Sequence, residues 1–305
     1  MKSAILTGAN GFIGRAVCNE LLSCGVKVTA IVRKEQSMQF LKNTNLEIVE
    51  AEMDDYIKLK DILAKDQDVF YHFAWDGAYG KEMGDYRKQI RNIEYTCNAV
   101  CLAEQIRCKK FIFAGTINEL ELLQFFRAEN NKPREACIYG IAKLTCDLMG
   151  KTIAAQGKMD FNVAIIGSCF GPGDKSMRIH NTVIRSLMKG ECPPLISGET
   201  LHDWIYIDDV AKMFRCLGEK SDNLKNYYLG HCKLRKLKEI ISDVRDIVNP
   251  QVELTFGTIR SSFQIDYSLI DMEALYRDTG YEAKSDFKDS IKKTEEWLKR
   301  NDNYG

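Results

Sequence analysis

The first half of the chain alternates short, continuously apolar runs with longer stretches whose apolar residues recur at helical spacing. Ser3–Thr7 is the first such run. Gly11–Cys24 follows, with Phe12, Ile13, Val17, Leu21 and Leu22 at helical spacing. Val26–Arg33 is rich in β-branched residues, which fit a pleated strand. Leu46–Ala51 and Asp68–Ala74 read as further strands with helical segments between them. Asp85–Arg107 is a long helix, Lys110–Gly115 a fifth strand, Ile138–Gln156 another helix and Phe161–Gly167 a sixth strand. Strands alternating with helices predict an α/β fold, a parallel sheet covered on both faces.

After Gly167 the rhythm changes. Gly171-Pro172-Gly173-Asp174 is a turn cluster. Helices at Asn181–Lys189, Asp208–Glu219, Leu234–Val248 and Ser285–Arg300 mix with short strands such as Val252–Phe256. The expected organisation is a sheet domain over 1–167 and a smaller mixed α/β lobe over 168–305, with the chain free to cross back. Such lobe junctions commonly hold the substrate.

Composition removes several classes. The 43 basic and 43 acidic residues cancel, so nothing points to nucleic acid or an anionic membrane. No apolar run is long enough to span a bilayer. Eleven cysteines are scattered without a C-x-x-C pair, and several, such as Cys97, Cys101 and Cys146, sit where apolar helix positions are expected. Neither a metal site nor a dithiol motif is supported. The odd count, in a chain that opens directly on a strand, leads us to expect reduced thiols, no targeting segment and a cytoplasmic protein.

Two motifs carry chemistry. Gly8, Gly11 and Gly14 follow the first strand and open the first helix. Glycines let the turn be tight and the backbone approach a diphosphate, which the helix N-terminus then attracts. An acid at the end of the second strand usually holds the adenosine ribose of NAD. Here that strand ends Ile31-Val32-Arg33-Lys34, and two cations suit a 2′-phosphate, so NADP(H) is favoured over NAD(H), with Glu35 close by. Glu52 and Met53, followed by Asp54, come after the third strand, where they suit the adenine edge.

The second motif is Tyr139-Gly140-Ile141-Ala142-Lys143. Tyr139 and Lys143 are four apart and share a helix face. A free tyrosine titrates near ~10, too high for efficient proton exchange at neutral pH. An ammonium at ~4 Å contributes ~4 kcal/mol at an effective dielectric of ~20, which is an upper bound of ~3 pKa units toward the phenolate. The fifth strand ends at Thr116, whose hydroxyl emerges at the carboxyl edge of the sheet and can donate to a carbonyl oxygen as charge develops.

Together these residues resemble the extended short-chain dehydrogenase/reductase family, of the sugar epimerase/dehydratase group. The resemblance runs nearly end to end. It covers Thr7-Gly8-Ala9-Asn10-Gly11-Phe12-Ile13-Gly14, His72-Phe73-Ala74, Asn92, Gly115-Thr116, the Tyr139–Lys143 motif, Gly171-Pro172-Gly173-Asp174, and the stretch from Asp203-Trp204 to Asp209-Val210. It implies a Rossmann-type doubly wound domain, a bound NAD(P) and a nucleotide-diphosphate sugar substrate. It also implies a homodimer through the Asp85–Arg107 and Ile138–Gln156 helices as a four-helix bundle. By the same resemblance Thr116 is the catalytic hydroxyl, Tyr139 the acid/base, and Lys143 holds the nicotinamide ribose. Asn92 supports the active-site hydrogen bonds or acts as a buried polar tie. Gly8, Asn10, Gly11, Phe12, Ile13, Gly14, Phe73 and Ala74 border the cofactor.

Departures from the family pattern bear on the reaction. Sugar 4,6-dehydratases resemble one another in an acid directly after the catalytic Thr. Here Ile117 and Asn118 stand there, and Glu119 comes one residue late and would point elsewhere. Leu120-Glu121 replaces the Tyr-Gly pair of many 4-epimerases. The Ala-Gly-Thr-x-x-Glu pattern and the Phe73-Ala74-Trp75 strand end resemble reductases of nucleotide-linked 4-keto-6-deoxy sugars. The expected activity is therefore NADPH-dependent reduction of a C4 ketone, with NAD-dependent 4-epimerisation as the alternative and a non-catalytic NADP(H) sensor as a third reading. On the substrate side Ile165 and Ser168 replace a family Arg and Asn. Trp75, Ser168, Arg178 and Arg260 are the candidate contacts, with Lys189, His180 and His202 weaker ones.

Overall fold

The computed structural model of the protein describes residues 1–33, 43–125, 133–260 and 265–302. In chain order its elements are β1 (Ser3–Thr7), α1 (Phe12–Ser23), β2 (Lys27–Val32), β3 (Leu46–Glu50), β4 (Val69–His72), α2 (Tyr86–Gln105), β5 (Lys110–Thr116), α3 (Asn118–Phe125), α4 (Ala136–Gln156) and β6 (Asp160–Ile166). There follow β7 (Ser168–Phe170), α5 (Ile179–Met188), β8 (Leu201–His202), β9 (Trp204–Tyr206), α6 (Ile207–Lys220), β10 (Asn226–Leu229), β11 (Arg235–Lys236), α7 (Leu237–Val248), α8 (Ala274–Thr279) and α9 (Phe287–Asn301).

Seven strands form one parallel sheet in the order β10-β6-β5-β4-β1-β2-β3. This is the Rossmann-type α/β sheet that the sequence pattern predicts. Strand order reverses between β1 and β4, and the crevice at their carboxyl ends is where such sheets bind ligands. All of β4 and β5 is buried, as their unbroken apolar character requires. Phe70, Phe111 and Phe161 are in register on β4, β5 and β6 and stack at 5.2 and 5.4 Å between ring centroids. Helix α4 crosses this ladder closely, since a Cβ at Gly150 would sit 2.4 Å from the Phe161 ring. Helix α2 begins where Asp85 accepts hydrogen bonds from the Arg87 and Lys88 amides. Just past its C-cap, Arg107 takes a positive φ of 58°.

The chain divides into two compact units. One comprises Met1–Ile166, Ala211–Leu229 and Asp266–Glu282, and the other Gly167–Val210, Gly230–Ile265 and Ala283–Gly305. In the second unit α5, α7 and α9 pack on one another, beside the small sheets β7–β9 and β8–β11. Phe170 is its aromatic centre, with His180, Trp204, Tyr206 and Phe287 rings within 6.1 Å.

Three elements differ from expectation. The sheet is not complete at the sixth strand, because β10 returns some sixty residues later to pair with β6. Helix α3, directly after Thr116, was not expected. Val252–Phe256 is not a strand: the Val252 amide donates to the Asn249 carbonyl and the Thr255 amide to Cys192 Sγ, and backbone bonds to the segment after Pro193-Pro194 come only beyond it among the described residues, from Gly257 to Ile196 and Ile259 to Leu195.

Candidate active site

The β1–α1 turn is built so that a side chain is impossible at two of its glycines. Gly8 has φ +66°, and a Cβ there would lie 2.7 Å from the Ala74 amide nitrogen and 2.9 Å from Phe73. A Cβ on Gly14 would lie 2.2 Å from the Gly8 carbonyl oxygen. Strand β1, the end of β4 and the first turn of α1 therefore meet at backbone contact. Gly11 is the N-cap of α1 and offers no side-chain cap, and the first turn holds no acid. Its amides keep their positive end for an anion, so the residues present fit a dinucleotide diphosphate. Asn10 lies in this turn, and Phe12 and Ile13 are the first, partly exposed residues of the helix.

Behind the turn runs a buried polar chain. The Ala74 amide donates to Thr7 Oγ1 at 3.3 Å, and Thr7 Oγ1 lies 2.8 Å from His72 Nδ1. His72 Nε2 lies 3.2 Å from Thr96 Oγ1, which donates to the Asn92 carbonyl at 2.9 Å. Because the Thr96 proton is already used, Nε2 carries the imidazole proton and Nδ1 accepts. Burial, aided by the charge of Lys143, lowers the His72 pKa to about 3, so the ring is neutral. His72 was quoted only as a strand end in the sequence; a histidine in an otherwise apolar strand was the available signal for this tie.

Asn92 is a tie as well. Its Nδ2 donates to the Asp76 carbonyl at 2.7 Å, and its Oδ1 accepts from the Asp76 amide at 3.0 Å. Gln89, one turn earlier, accepts from the Trp75 indole at 3.0 Å and donates to the Gly77 carbonyl at 3.0 Å. Helix α2 thus clamps the loop after β4 and orients Trp75. The Trp75 ring meets Tyr139 edge-on at 5.8 Å.

Tyr139 and Lys143 lie on the buried face of α4, and Thr116 ends β5. Gly140 lets α4 approach the start of α3, since a Cβ there would be 2.9 Å from the Asn118 carbonyl. Lys143 Nζ donates to the Ala114 carbonyl at 2.8 Å and stands 3.7 Å from the Trp75 ring centroid, a cation–π contact. Burial lowers the pKa of Lys143 to about 8. Thr116 Oγ1 is 3.3 Å from Asn118 Oδ1. Glu119 turns back onto the strand end: its Oε1 accepts from the Thr116 amide at 2.7 Å, and burial pushes its pKa up while that amide and the Lys143 charge pull it down.

The remaining candidates fall in two places. Arg33, Glu52 and Met53 line a cavity of about 120 Å³ together with Asp76, Arg91 and Tyr95. Lys34 and Glu35 lie outside the described residues. Phe73 packs edge-on against Phe214 at 4.9 Å. Ser168, Arg178 and Arg260 belong to the second unit, on β7, at the N-cap of α5 and in an exposed stretch after residue 257. His180 is enclosed against Phe170 and Trp204. Asp209 accepts the Lys284 and Ser285 amides, a structural role. Among the described residues no cluster suited to a metal occurs, and no helix is long and apolar enough to cross a membrane.

A diphosphate cradle at the switch point, with a tyrosine, a buried lysine and a strand-end hydroxyl beyond it, defines a dinucleotide-dependent enzyme of the parallel-sheet class. The pattern of the NAD dependent epimerase/dehydratase family matches residues 4–230, and the chain belongs to that family, as an NAD(P)-dependent enzyme of the extended short-chain dehydrogenase/reductase type. The chain is 27% identical over 68% of its length to dTDP-6-deoxy-L-talose 4-dehydrogenase (NAD(+)) of Aggregatibacter actinomycetemcomitans, covering 76% of that protein. It is 22% identical over 98% of its length to a trifunctional UDP-glucose 4,6-dehydratase/UDP-4-keto-6-deoxy-D-glucose 3,5-epimerase/UDP-4-keto-L-rhamnose-reductase of Arabidopsis thaliana, and spans about half of it, 47%. The solved UDP-N-acetylglucosamine 4-epimerase from Methanobrevibacter ruminantium M1, in complex with UDP-N-acetylmuramic acid, has the same fold, with TM-score 0.82, 22% identity and 99% of each chain covered.

The neutral His72 makes the first unit acid-sensitive. Between about 6.5 and about 3 the unfolded chain binds a proton at this ring and the folded protein does not, so stability is lost as pH falls through that window. Urea denaturation from pH 7 to 5 is expected to show this loss, with a shallower slope in His72→Gln. An unchanged slope would refute the role given to the ring.

Proposed function

We propose that the protein reduces the C4 ketone of a nucleotide-diphosphate 4-keto-6-deoxy sugar with NADPH. The observation that carries this reading is the setting of Thr116. The two residues after it are Ile117 and Asn118, and the first acid, Glu119, is enclosed and engaged with the Thr116 amide. Among the described residues no carboxyl follows Thr116 at the position a dehydratase uses to expel water, while a hydroxyl, a tyrosine and a lysine suited to a ketone are present. The relationship to a 6-deoxy-sugar 4-dehydrogenase supports the same chemistry run in either direction.

When bound, the dihydronicotinamide supplies the hydride. Tyr139 donates the proton to O4, and the Thr116 hydroxyl hydrogen-bonds that oxygen as charge develops on it. Lys143 holds a positive charge near the phenol while pH stays below about 8, so turnover is expected to fall as pH rises through that value. Removing the phenol in Tyr139→Phe should lower turnover by about 10²–10⁴-fold and leave cofactor affinity nearly intact. The assay is NADPH absorbance with a panel of nucleotide 4-keto sugars. Near-wild-type rates in the variant would sink the mechanism, and an epimerised product without net oxidation would replace reduction by 4-epimerisation.

The preference for NADPH rests on Arg33 at the end of β2, with Lys88 and Arg91 on the same cavity, which Glu52, Asp54 and Asp76 also line. Arg33→Asp is expected to weaken NADPH about 10-fold or more relative to NADH, the worth of one charge-assisted hydrogen bond. Equal effects on both cofactors, measured by fluorescence titration, would remove the preference.

We infer a homodimer through α2 and α4. These helices pack side by side and leave apolar side chains uncovered: Tyr86 and Ile90 on α2 and Ile141 and Leu148 on α4, with Ile90, Ile141 and Leu148 each more than half exposed. Light scattering should give twice the chain mass, and Leu148→Asp should give one chain mass. A monomeric wild type would overturn this.

A further inference from the structure

Strand β5 outruns its neighbour. β4 pairs with it only as far as His72 opposite Phe113, while β6 continues to Ile166 opposite Thr116. Backbone groups alternate sides along a strand. The Ile117 amide points to β6, where it donates to the Ile166 carbonyl. The Thr116 amide and the Ala114 carbonyl therefore point to the edge that β4 has vacated. Buried backbone groups on such an edge need partners.

Two side chains of opposite charge fill it. Lys143 Nζ donates to the Ala114 carbonyl at 2.8 Å, and Glu119 Oε1 accepts from the Thr116 amide at 2.7 Å. Each charge has the sign its backbone group requires. Glu119 and Lys143 are 2% and 4% exposed, and Glu119 Oε2 has no hydrogen-bond partner. Space around the carboxyl is tight, since a Cβ on Gly115 would lie 2.9 Å from Glu119 Oε1.

We propose that Glu119 is a positioning residue: it fixes the backbone that carries the Thr116 hydroxyl and serves as the buried counter-charge of Lys143. This rests on the reading in which Thr116 and Lys143 act on the substrate carbonyl and the cofactor. The other titratable groups in the neighbourhood are Tyr139, whose ring centroid lies 5.9 Å from Lys143 Nζ, Cys146 on α4 and His72 on β4 for Lys143, and Asp147 and Lys151 on α4 for Glu119. His72 is neutral, and desolvation pushes the Cys146 thiol up to about 12, so neither replaces the carboxylate as partner to the ammonium. Burial pushes Glu119 and Lys143 toward their neutral forms, and each charge opposes that push on the other.

Two variants separate the two roles. Glu119→Gln keeps an acceptor oxygen for the Thr116 amide and removes the charge; Glu119→Ala removes both. The first readout needs no substrate. In protein labelled with 13C at lysine Cε, the Lys143 resonance, assigned by its loss in Lys143→Arg, is titrated with pH. Losing an opposite charge disfavours the ammonium, so Glu119→Gln should lower its midpoint by about one pH unit or more. A midpoint equal to wild type overturns the counter-charge. The second readout is hydrogen exchange at the Thr116 amide, expected to be wild-type-like in Glu119→Gln and faster in Glu119→Ala. Protection retained in Glu119→Ala overturns the fixing of Thr116.

Turnover then links both to the reaction. Glu119→Gln should move the high-pH decline of kcat to lower pH, and Glu119→Ala should lower kcat by about 100-fold, as a displaced catalytic group does, with the glutamine restoring most of it about one pH unit below its own Lys143 midpoint. Should Glu119→Ala not fold, Glu119→Gln and the lysine titration still decide the counter-charge. If no ketone is reduced by the wild type, the reading of function fails while both spectroscopic tests stand.

Discussion

Everything in the nucleotide half depends on the close meeting of three backbones at Gly8. The end of β4 lies against its α-carbon, and the first turn of α1 lies against its carbonyl through Gly14. That contact sets the depth of the α1 N-terminus in the crevice and brings Phe73 and Ala74 to the edge of the cradle. The buried chain from Thr7 through His72 and Thr96 to Asn92 extends the same junction into α2. A polar chain of this kind is stable only when every member is satisfied, and here the single imidazole proton orders all donors in one direction. Through Asn92 and Gln89 the junction reaches the loop bearing Trp75, which flanks both Tyr139 and Lys143. Cradle and proton donor are thus parts of one rigid construction.

The catalytic end arises from a mismatch in strand length. Parallel strands of equal length would satisfy each other and leave no backbone for side chains to hold. Because β5 continues past β4, its last groups recruit a lysine from α4 and a glutamate from α3. Lys143 and the Thr116 hydroxyl are located by hydrogen bonds at the end of the sheet itself, so loop placement is not required of either. Sites built on such rigid elements keep their geometry better than sites on loops.

Much of this was legible in the sequence, for identifiable reasons. The six strands to Phe161–Gly167 are mostly apolar runs, with Leu46–Glu50 interrupted by Glu47 and Glu50, and such runs set between helical periodicities are the strongest signal a chain offers. Gly8 and Gly14 were legible because close backbone approach admits no other residue. Tyr139 and Lys143 were legible because a spacing of four on a helix makes them neighbours. What failed was short or depended on distant partners. Asn226–Leu229 is four residues long, and only pairing with β6 across a long excursion makes it a strand. Val252–Phe256 alternates properly, but its amides find a turn carbonyl and a thiol in place of a strand partner. The partner of Glu119 was not legible, because spacing places it past the dehydratase position without saying where its carboxyl goes. Helix α3 begins at Asn118, and its first turn folds the carboxyl back onto the strand end.

The energetic logic of Lys143 follows from these placements. Taking an ammonium out of water costs several kcal/mol even after relaxation, which is why burial drives its pKa down. A carbonyl oxygen, an indole face and a nearby carboxylate offset that cost without a close, direct ion pair that would quench the charge. A lysine held by a tight salt bridge would have its field spent on the partner and little left for a neighbouring phenol. A lysine held by a carbonyl and an aromatic face keeps its field in a low-dielectric pocket, where it acts on other groups most strongly. The same burial pushes its titration down, and a carboxylate at Glu119 on the same strand edge opposes that push. The first acid after Thr116 stands one residue past the dehydratase position and, from the first turn of α3, holds the Thr116 amide.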